Sequence, residues 1–253
     1  MTGGELLEET KRRFIQLLKF QGDGVYRREL QSEVVISRPL SALEAIGDPG
    51  RDDFPIIRGK EVLMQATFKG VAGQAFTAAS GDFQGTLGDV LALPLDENFG
   101  RAVFVATMNA ALRCLGKIEK SVHCRDDGPK RCSTLAVDWL RDQQWEKVGL
   151  VGLQPAILEA LVKAFGRERV MVSDLAEAGS ERCGIRVLDG LKSPEIFEQC
   201  QIILITGSTI VNGTIDDLLE QAAEHNRRVV LFGVTIAGAA YLMGLESWCA
   251  CST

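Results

Sequence analysis

Residues 202–219 read Ile202-Ile-Leu-Ile-Thr-Gly-Ser-Thr-Ile-Val-Asn-Gly-Thr-Ile-Asp-Asp-Leu-Leu219. The apolar run at the start is short and rich in isoleucine, which predicts a buried strand over 201–206. Helical spacing follows over 215–225, where Thr214 is expected to cap the helix and two aspartates lie in its first turn. Between strand and helix lies a loop of hydroxyls, one amide and two glycines, which is the kind of loop that a ligand cradle requires.

The same alternation of strand and helix extends in both directions from this stretch. The sequence predicts further strands over 148–152, 170–175 and 228–232, and a helix over 156–165. Such alternation requires a parallel sheet with right-handed crossovers, so the predicted fold class is α/β, with a C-terminal Rossmann-like domain over residues 128–253. Ligands of such sheets bind outside the carboxyl ends of the strands. The site is therefore predicted at the turns after Val151, Val172, Ile205 and Leu231.

The N-terminal part has a different pattern, which predicts a smaller α+β domain over residues 1–127. A chain of 253 residues is longer than most domains with a single core, in agreement with two domains. The predicted elements are, in order, a helix over 5–20 that ends before a breaker at 21–24, antiparallel strands over 33–37, 61–68 and 74–77, a buried helix over 101–115, a polar linker or functional loop over 121–132, and a helix over 133–144.

Charge and composition exclude several classes of protein. The chain has 28 Lys and Arg against 34 Asp and Glu, a formal net charge of -6, and its basic residues are scattered, which argues against binding to nucleic acid phosphates. No run approaches the roughly 20 apolar residues that span a membrane, and the acidic N-terminus is unlike a signal peptide. An odd number of cysteines, seven, fits a reducing compartment. We therefore expect a cytoplasmic protein with a small-molecule or metal ligand. Whether it forms a homo-oligomer stays open.

Small polar residues at the predicted strand ends are the candidate ligand-binding residues. Gly152 ends the first strand, and Pro155 opens a helix whose N-terminus attracts anions. The dinucleotide fingerprint G-x-G-x-x-G is absent, which argues against a standard NAD site. Asp174 ends the second strand, where it either binds a ribose hydroxyl or, as the favoured interpretation, forms a turn. The candidate ligand-binding set is Gly152, Gln154, Asp174, Thr206, Gly207, Ser208, Thr209, Asn212, Thr214 and Thr235, with the alternative that Asn212 and Thr214 only turn and cap the chain.

One segment also carries a family resemblance. Ile205-Thr-Gly-Ser-Thr-Ile-Val-Asn-Gly-Thr-Ile215, with Val148-Gly-Leu-Val-Gly152 and Phe232-Gly-Val-Thr235, resembles the uncharacterised family named for heavy-metal chelation. The resemblance implies a Rossmann-like domain preceded by a domain similar to the enolase N-terminal fold. It also implies an interdomain cleft that handles a metal or a metal chelate, and it supplies no catalytic mechanism. The sequence departs from the family at 233–235, where a Gly-Pro-Ser-Thr type of turn is expected.

Cysteine and histidine provide candidate metal ligands. His123, Cys124 and Cys132 form a His-Cys-x7-Cys pattern, and thiolate with imidazole suits zinc, copper or iron. A closed site needs about four ligands, so the alternative is a loop whose thiols are near one another by chance. Cys249 and Cys251 are expected to lie in a frayed tail. Packing roles are expected for Cys114, Cys183 and Cys200.

These observations lead to three functional hypotheses. The leading one is a protein that binds a metal ion, or an anionic small molecule that chelates one, in the interdomain cleft. The second is an enzyme that uses a nucleoside-type cofactor such as S-adenosylmethionine, with Asp174 on the ribose. The third is a structural or regulatory interaction protein. No Gly-x-Ser-x-Gly elbow and no Walker loop is present, so whether the protein is an enzyme stays open.

Overall fold

The N-terminal half of the chain forms an antiparallel sheet covered by helices. A computed structural model describes residues 4–36, 38–59 and 61–253. The elements of this half are α1 (Glu5–Phe20), α2 (Asp23–Leu30), β1 (Glu33–Ile36), α3 (Ala42–Ile46), β2 (Val62–Phe68), β3 (Val71–Thr77), β4 (Phe83–Thr86), α4 (Leu87–Ala92) and α5 (Asn98–Cys114). The strand order is β3-β2-β1-β4 with antiparallel pairs throughout, which confirms the three predicted strands and adds β4, which the sequence did not predict. Ser37, predicted to end the first strand, lies outside the described residues.

The chain between α1 and β1 differs from the prediction of a breaker at 21–24. Gly22 has a φ of +103° and turns the chain after α1, and a second helix, α2, begins at once with Asp23. The carboxylate of Asp23 lies in the first turn of α2, where the helix dipole favours negative charge. The glycine therefore separates two helices.

The C-terminal half forms the predicted parallel sheet. Its elements are α6 (Gly128–Arg141), β5 (Val148–Val151), α7 (Pro155–Phe165), β6 (Val170–Asp174), β7 (Glu181–Arg182), β8 (Ile185–Arg186), β9 (Leu188–Asp189), α8 (Glu195–Gln199), β10 (Ile202–Thr206), α9 (Ser208–Asn212), α10 (Ile215–Glu224), β11 (Arg228–Phe232), α11 (Ala237–Met243) and β12 (Ser247–Trp248). The strand order is β12-β11-β10-β5-β6-β9, and each pair is parallel. From β5 the chain adds β6 and β9 on one side, and it then returns to add β10, β11 and β12 on the other side. Such a reversal between β5 and β10 opens a crevice at the carboxyl ends of these two strands.

Two local predictions in this half were wrong. Helix α6 begins at Gly128 and not at 133, because Pro129 occupies its first turn, where a missing N–H is tolerated. Cys132 therefore lies in a helix and not in a polar loop. The predicted loop after β10 contains the short helix α9, which ends at Gly213 with a left-handed φ of +73°.

The two sheets share one hydrophobic core. Helix α5 is buried over most of its length because it packs on β2 and β3 on one side and on α9 and α11 on another. The largest cluster of buried side chains includes Phe104 and Leu112 from α5 together with Ile203 and Ile205 from β10. The division into domains at 127/128 stays a prediction.

No helix within the described part of the chain is both long enough and apolar enough to cross a membrane.

Candidate functional site

A cavity of about 390 Å³ lies at the carboxyl ends of β5, β6, β10 and β11. Its opposite wall comes from the antiparallel half, with Phe54, Glu61 and Phe76, and from the segment that contains His123. A volume of this size is typical of sites for small organic molecules. The cavity therefore lies where the strand topology predicts a ligand site.

All of the candidate ligand-binding residues border this one cavity. They are Gly152, Gln154, Asp174, Thr206, Gly207, Ser208, Thr209, Asn212, Thr214 and Thr235. The parallel sheet brings them together because each follows the carboxyl end of a strand, although they are far apart in sequence. Their roles in binding stay predictions.

Gly152 shapes the floor of the cavity. Its φ is +89°, and a Cβ at this position would lie 2.2 Å from Cγ2 of Thr206. The backbone after β5 can therefore approach the end of β10 closely only because residue 152 has no side chain.

The side chain of Asp174 is engaged in holding two turns. Its Oδ2 accepts the N–H of Leu153 at 2.8 Å, and its Oδ1 accepts the N–H groups of Ala176 at 2.8 Å and Glu177 at 3.1 Å. These contacts agree with the turn residue that the sequence favours. The cofactor hypothesis required this carboxylate for a ribose, so the geometry gives that hypothesis no support.

Two other candidate residues also make internal hydrogen bonds. Gln154 Oε1 accepts the N–H of Ile157 at 2.6 Å and so caps α7. Thr235 Oγ1 accepts the N–H of Phe76 at 3.0 Å, which links the parallel half to β3. These side chains hold the walls of the cavity in place.

Asn212 and Thr214 differ from the capping roles that the sequence suggested. Thr214 occupies the cap position of α10, but its side chain makes no capping hydrogen bond to the described residues. Among the same residues the Asn212 amide has no hydrogen bond, while Ser208 Oγ contacts only Thr206 Oγ1, at 3.3 Å. The polar atoms of Asn212, Thr214 and Ser208 are therefore available to a ligand.

The wall of the cavity is acidic. Glu61, Asp174 and Glu177 border it, and no Lys or Arg does so within residues 4–36, 38–59 and 61–253, although Glu177 is ion-paired with Arg182 outside the wall. Burial, together with the nearby charge of Asp174, raises the pKa of Glu61 to about 7. The Glu61 carboxyl forms no hydrogen bond or ion pair with the described residues. Sequence reasoning missed it, because a glutamate next to a strand carries no local signal of a cavity.

His123 is a neutral wall residue. Burial lowers the pKa of its imidazole to about 4. Its Nδ1–H donates to the carbonyl of Cys124 at 2.6 Å, and its ring packs edge-on against Phe76 with centroids 5.2 Å apart. These contacts fix the ring in the wall of the cavity.

The predicted metal ligands border the cavity but do not form a ligand set. His123, Cys124 and Cys132 all contribute to its wall. In the described part of the chain, however, no three Cys, His, Asp or Glu side chains are arranged to hold a metal ion. The residues present therefore do not fit a resident metal centre.

The C-terminal residues are docked, which corrects the expectation of a frayed tail. The Thr253 N–H donates to the carbonyl of Val122 at 3.0 Å, and the Thr253 carbonyl accepts the N–H of Val122 at 2.7 Å. Lys120 Nζ donates to the carbonyls of Cys249 and Ala250, both at 2.9 Å. These bonds hold Cys249 in the cavity wall. The packing roles expected for Cys114 and Cys183 were also wrong, because both are exposed, whereas Cys200 is buried.

Two solved structures resemble this chain. A protein from Desulfitobacterium hafniense DCB-2, described as a member of the DUF364 family with unknown function, has a TM-score of 0.50 at 13% identity, covering 94% of this chain and 83% of its own. A DUF364 protein of unknown function from Pyrococcus horikoshii has a TM-score of 0.47 at 15% identity, covering 91% and 79%. The first similarity shows the fold alone.

A search of curated proteins finds no match to this chain. The family model that matches is DUF364, with the description "Putative heavy-metal chelation", over residues 135–244. The matched range contains β5, α7, β6, β10, α9, α10 and β11, the elements whose ends border the cavity on its parallel side. The resemblance seen in the sequence is therefore confirmed: residues 135–244 of this chain match the family described by that name.

Proposed function

We propose that the cavity binds a small, positively charged ligand, and that a heavy-metal ion held by an organic chelator is such a ligand. The observation that carries this proposal is the Glu61 carboxyl, which lies in the cavity wall without a partner among the described residues. A carboxylate in such surroundings gains free energy when a cation replaces the water it has lost.

The sign of the charge in the wall supports a cation over the anionic chelator expected from the sequence. Asp174 adds to the negative potential around Glu61, whereas Glu177 is ion-paired with Arg182. No Lys or Arg among the described residues borders the cavity itself. A bound anion would be repelled at short range in a partly desolvated site. The helix N-terminus at Pro155 is a weaker attraction, because Gln154 already accepts one of its free N–H groups.

The metal-ligating side chains around the cavity support binding of a chelated metal ion over binding of a bare ion. Soft metal ions take about four ligands, and no trio of protein donors is assembled around the cavity within the described ranges. An organic chelator would supply the missing donors. Its polar atoms can bond to Ser208, Asn212 and Thr214, and its carbon atoms can pack on the aromatic rings of Phe54, Phe76 and Trp248.

The test uses two substitution-inert cobalt(III) complexes with opposite charge. The tris(ethylenediamine) complex is a cation and the EDTA complex is an anion, and Trp248 in the cavity wall reports binding through its fluorescence. We expect one-to-one binding of the cation with an affinity about tenfold higher than that of the anion, a difference of about 1.4 kcal/mol. Affinity should rise between about pH 6 and about pH 8, because Glu61, with its pKa raised to about 7, ionises in this range.

Glu61→Gln and Glu224→Gln form a matched pair of variants for this test. Both remove one negative charge, but Glu224 is an exposed residue of α10 that does not border the cavity. Glu61→Gln should weaken binding of the cation about tenfold and remove the pH dependence, while Glu224→Gln should bind as the wild type does. Equal losses in the two variants, or preferred binding of the anion, would contradict the proposal.

A further inference from the structure

We propose that the ligand of this cavity is an elongated molecule, with a cationic group at one end, an apolar middle, and an uncharged hydrogen-bonding group such as an amide about 10 Å away at the other end. This inference rests on the proposed function, because the cationic end is the one that Glu61 binds. It adds the shape of the ligand and the chemistry of its other end. The observation that carries it is the order of strands in the parallel sheet, which divides the cavity wall into three sections.

The strand order β10-β5-β6 sets the order of the sections. Strand β5 pairs with β6 on one side and with β10 on the other, and both pairs are parallel, so the three carboxyl ends meet the cavity side by side. Neighbouring strands lie about 4.8 Å apart, which places the ends of β6 and β10 about 10 Å from each other. A ligand that contacts both of these ends therefore passes over the end of β5.

The section at the end of β6 is acidic. Asp174 ends this strand, and its charge acts on Glu61 of the antiparallel half, so the two carboxyl groups are neighbours in the cavity wall. Three backbone N–H groups already occupy the Asp174 carboxylate. The unpartnered carboxylate of Glu61 is therefore the group that receives the cationic end of the ligand.

The section at the end of β5 is apolar. From the parallel half it is lined by Val151, Leu153 and Ile157. Phe54 lies against the same part of the cavity from the antiparallel half, because it shares a buried cluster with Ala156 in the first turn of α7. The segment of Phe54 is tied to α7 by an ion pair between Arg51 Nη1 and Glu159 Oε2 at 2.7 Å. This section suits methylene groups or a ring in the middle of the ligand.

The section at the end of β10 is polar and uncharged. Ser208, Asn212 and Thr214 border it, and their side chains can both donate and accept hydrogen bonds. Arg101 of α5 holds this end in place, since its Nη1 donates to the carbonyl of Val211 at 3.3 Å. Because no Lys or Arg of the described chain borders the cavity, a carboxylate here would lack a counter-charge, whereas an amide or a hydroxyl needs none.

The experiment measures the binding of monoacetylated α,ω-diaminoalkanes by calorimetry, from the propane to the dodecane diamine. Each compound has an ammonium at one end and an acetamide at the other, so only the length changes. Affinity should pass through a maximum between the butane and octane diamines and then fall about tenfold, because longer molecules cannot seat both ends without bending. A steady rise with length, as burial of methylene groups alone would give, would overturn the inference.

Ligands that lack one end assign each end to its section. Alkylamines lack the acetamide, and N-alkylacetamides lack the ammonium. Glu61→Gln should weaken binding of both kinds of amine about tenfold and leave the N-alkylacetamides unchanged. Asn212→Ala should weaken binding of both kinds of acetamide about tenfold and leave the alkylamines unchanged. An equal loss for all three kinds of ligand in Asn212→Ala would contradict a polar end at Asn212.

Asn212→Asp is a second variant of nearly the same shape, which decides the matter should Asn212→Ala disturb α9. The wild type should bind the monoacetylated diamine about tenfold more tightly than the free diamine of the same length, because a second ammonium loses water at an uncharged section. The new carboxylate in Asn212→Asp should reverse this preference. An unchanged preference would count against the inference.

The same measurements distinguish the elongated ligand from the cation site. Amine binding that requires Glu61, without a length optimum and without any effect of Asn212, would remove the elongated ligand and leave the cation site in place. Acetamide binding that requires Asn212, together with amine binding that ignores Glu61, would remove the cation site and with it the charged end of the ligand.

Discussion

At the scale of single residues, two glycines in the cavity wall provide a controlled comparison. Gly152 follows β5 and Gly233 follows β11, and their φ angles of +89° and +92° are nearly the same. A Cβ at 152 would lie 2.2 Å from Cγ2 of Thr206, whereas a Cβ at 233 would have no described atom within 4 Å. The pair therefore separates backbone strain from steric contact.

We expect Gly233→Ala to lower the free energy of unfolding by about 1 to 2 kcal/mol, the effect of a left-handed φ on a residue with a Cβ. Gly152→Ala should lower it by a further 1 to 3 kcal/mol or so, because Thr206 must move. Adding Thr206→Ser, which removes Cγ2 but keeps the Cβ that would lie 2.9 Å away, should recover part of this difference. Urea denaturation measures all of these variants, and equal effects at 152 and 233 would show that contact with Thr206 does not matter.

At the scale of elements, Asp174 joins the turn after β5 to the turn after β6. Its carboxylate accepts one N–H from the first turn and two from the second. We expect Asp174→Ala to lower the free energy of unfolding by about 2 to 4 kcal/mol, because three backbone donors lose their acceptor.

Asp189→Ala is the control for that variant. Asp189 ends β9 beside Asp174, and its side chain accepts only the N–H of Leu191, at 2.9 Å, among the described residues. A loss of about 1 kcal/mol is expected there. Thermal and urea denaturation distinguish the two variants. An unchanged stability of Asp174→Ala would show that the carboxylate does not hold the turns, and it would then be free to bind a ligand.

The bounds of most elements follow from local patterns, and the exceptions have local causes as well. The apolar runs of β5, β6, β10 and β11 predicted these strands because a buried parallel strand needs continuous apolar side chains. The sequence pattern predicts too late a start for α6, because Pro129 is typical of a loop although proline is also common in a first helical turn. The docking of residues 249–253 had no local signal, because it depends on Lys120 and Val122.

At the scale of the whole molecule, one buried amide joins the two halves. Asn109 of α5 donates through Nδ2 to the carbonyls of Gln74 at 3.0 Å, Val234 at 3.1 Å and Thr235 at 3.3 Å. Its Oδ1 accepts the N–H of Gly238 at 2.8 Å. The amide therefore bonds to β3 on one side and to the chain after β11 on the other.

We expect Asn109→Leu to lower the free energy of unfolding by about 3 to 5 kcal/mol, because buried backbone groups of both halves lose their partner. Thr107→Val is the control on the same helix. Thr107 is equally buried, and its Oγ1 has no hydrogen-bond partner in the described part of the chain, so this variant should be neutral or slightly stabilising. Similar losses in both variants, measured by urea denaturation, would contradict the bridging role of Asn109.

The sequence by itself determined the main strands and helices of both halves, the parallel arrangement of the C-terminal sheet, and the edge at which Gly152, Thr206 and Asn212 meet. Periodicity and the handedness of crossovers are properties of short segments, so they can be interpreted without coordinates. Only the tertiary structure decided that the Asp174 carboxylate accepts backbone N–H groups, that Glu61 lies in the cavity wall near Asp174, and that the C-terminal residues dock against Lys120 and Val122. The physical reason is that charge, desolvation and hydrogen-bond supply at a site depend on groups from distant parts of the chain, which only the folded molecule brings within a few ångströms of one another.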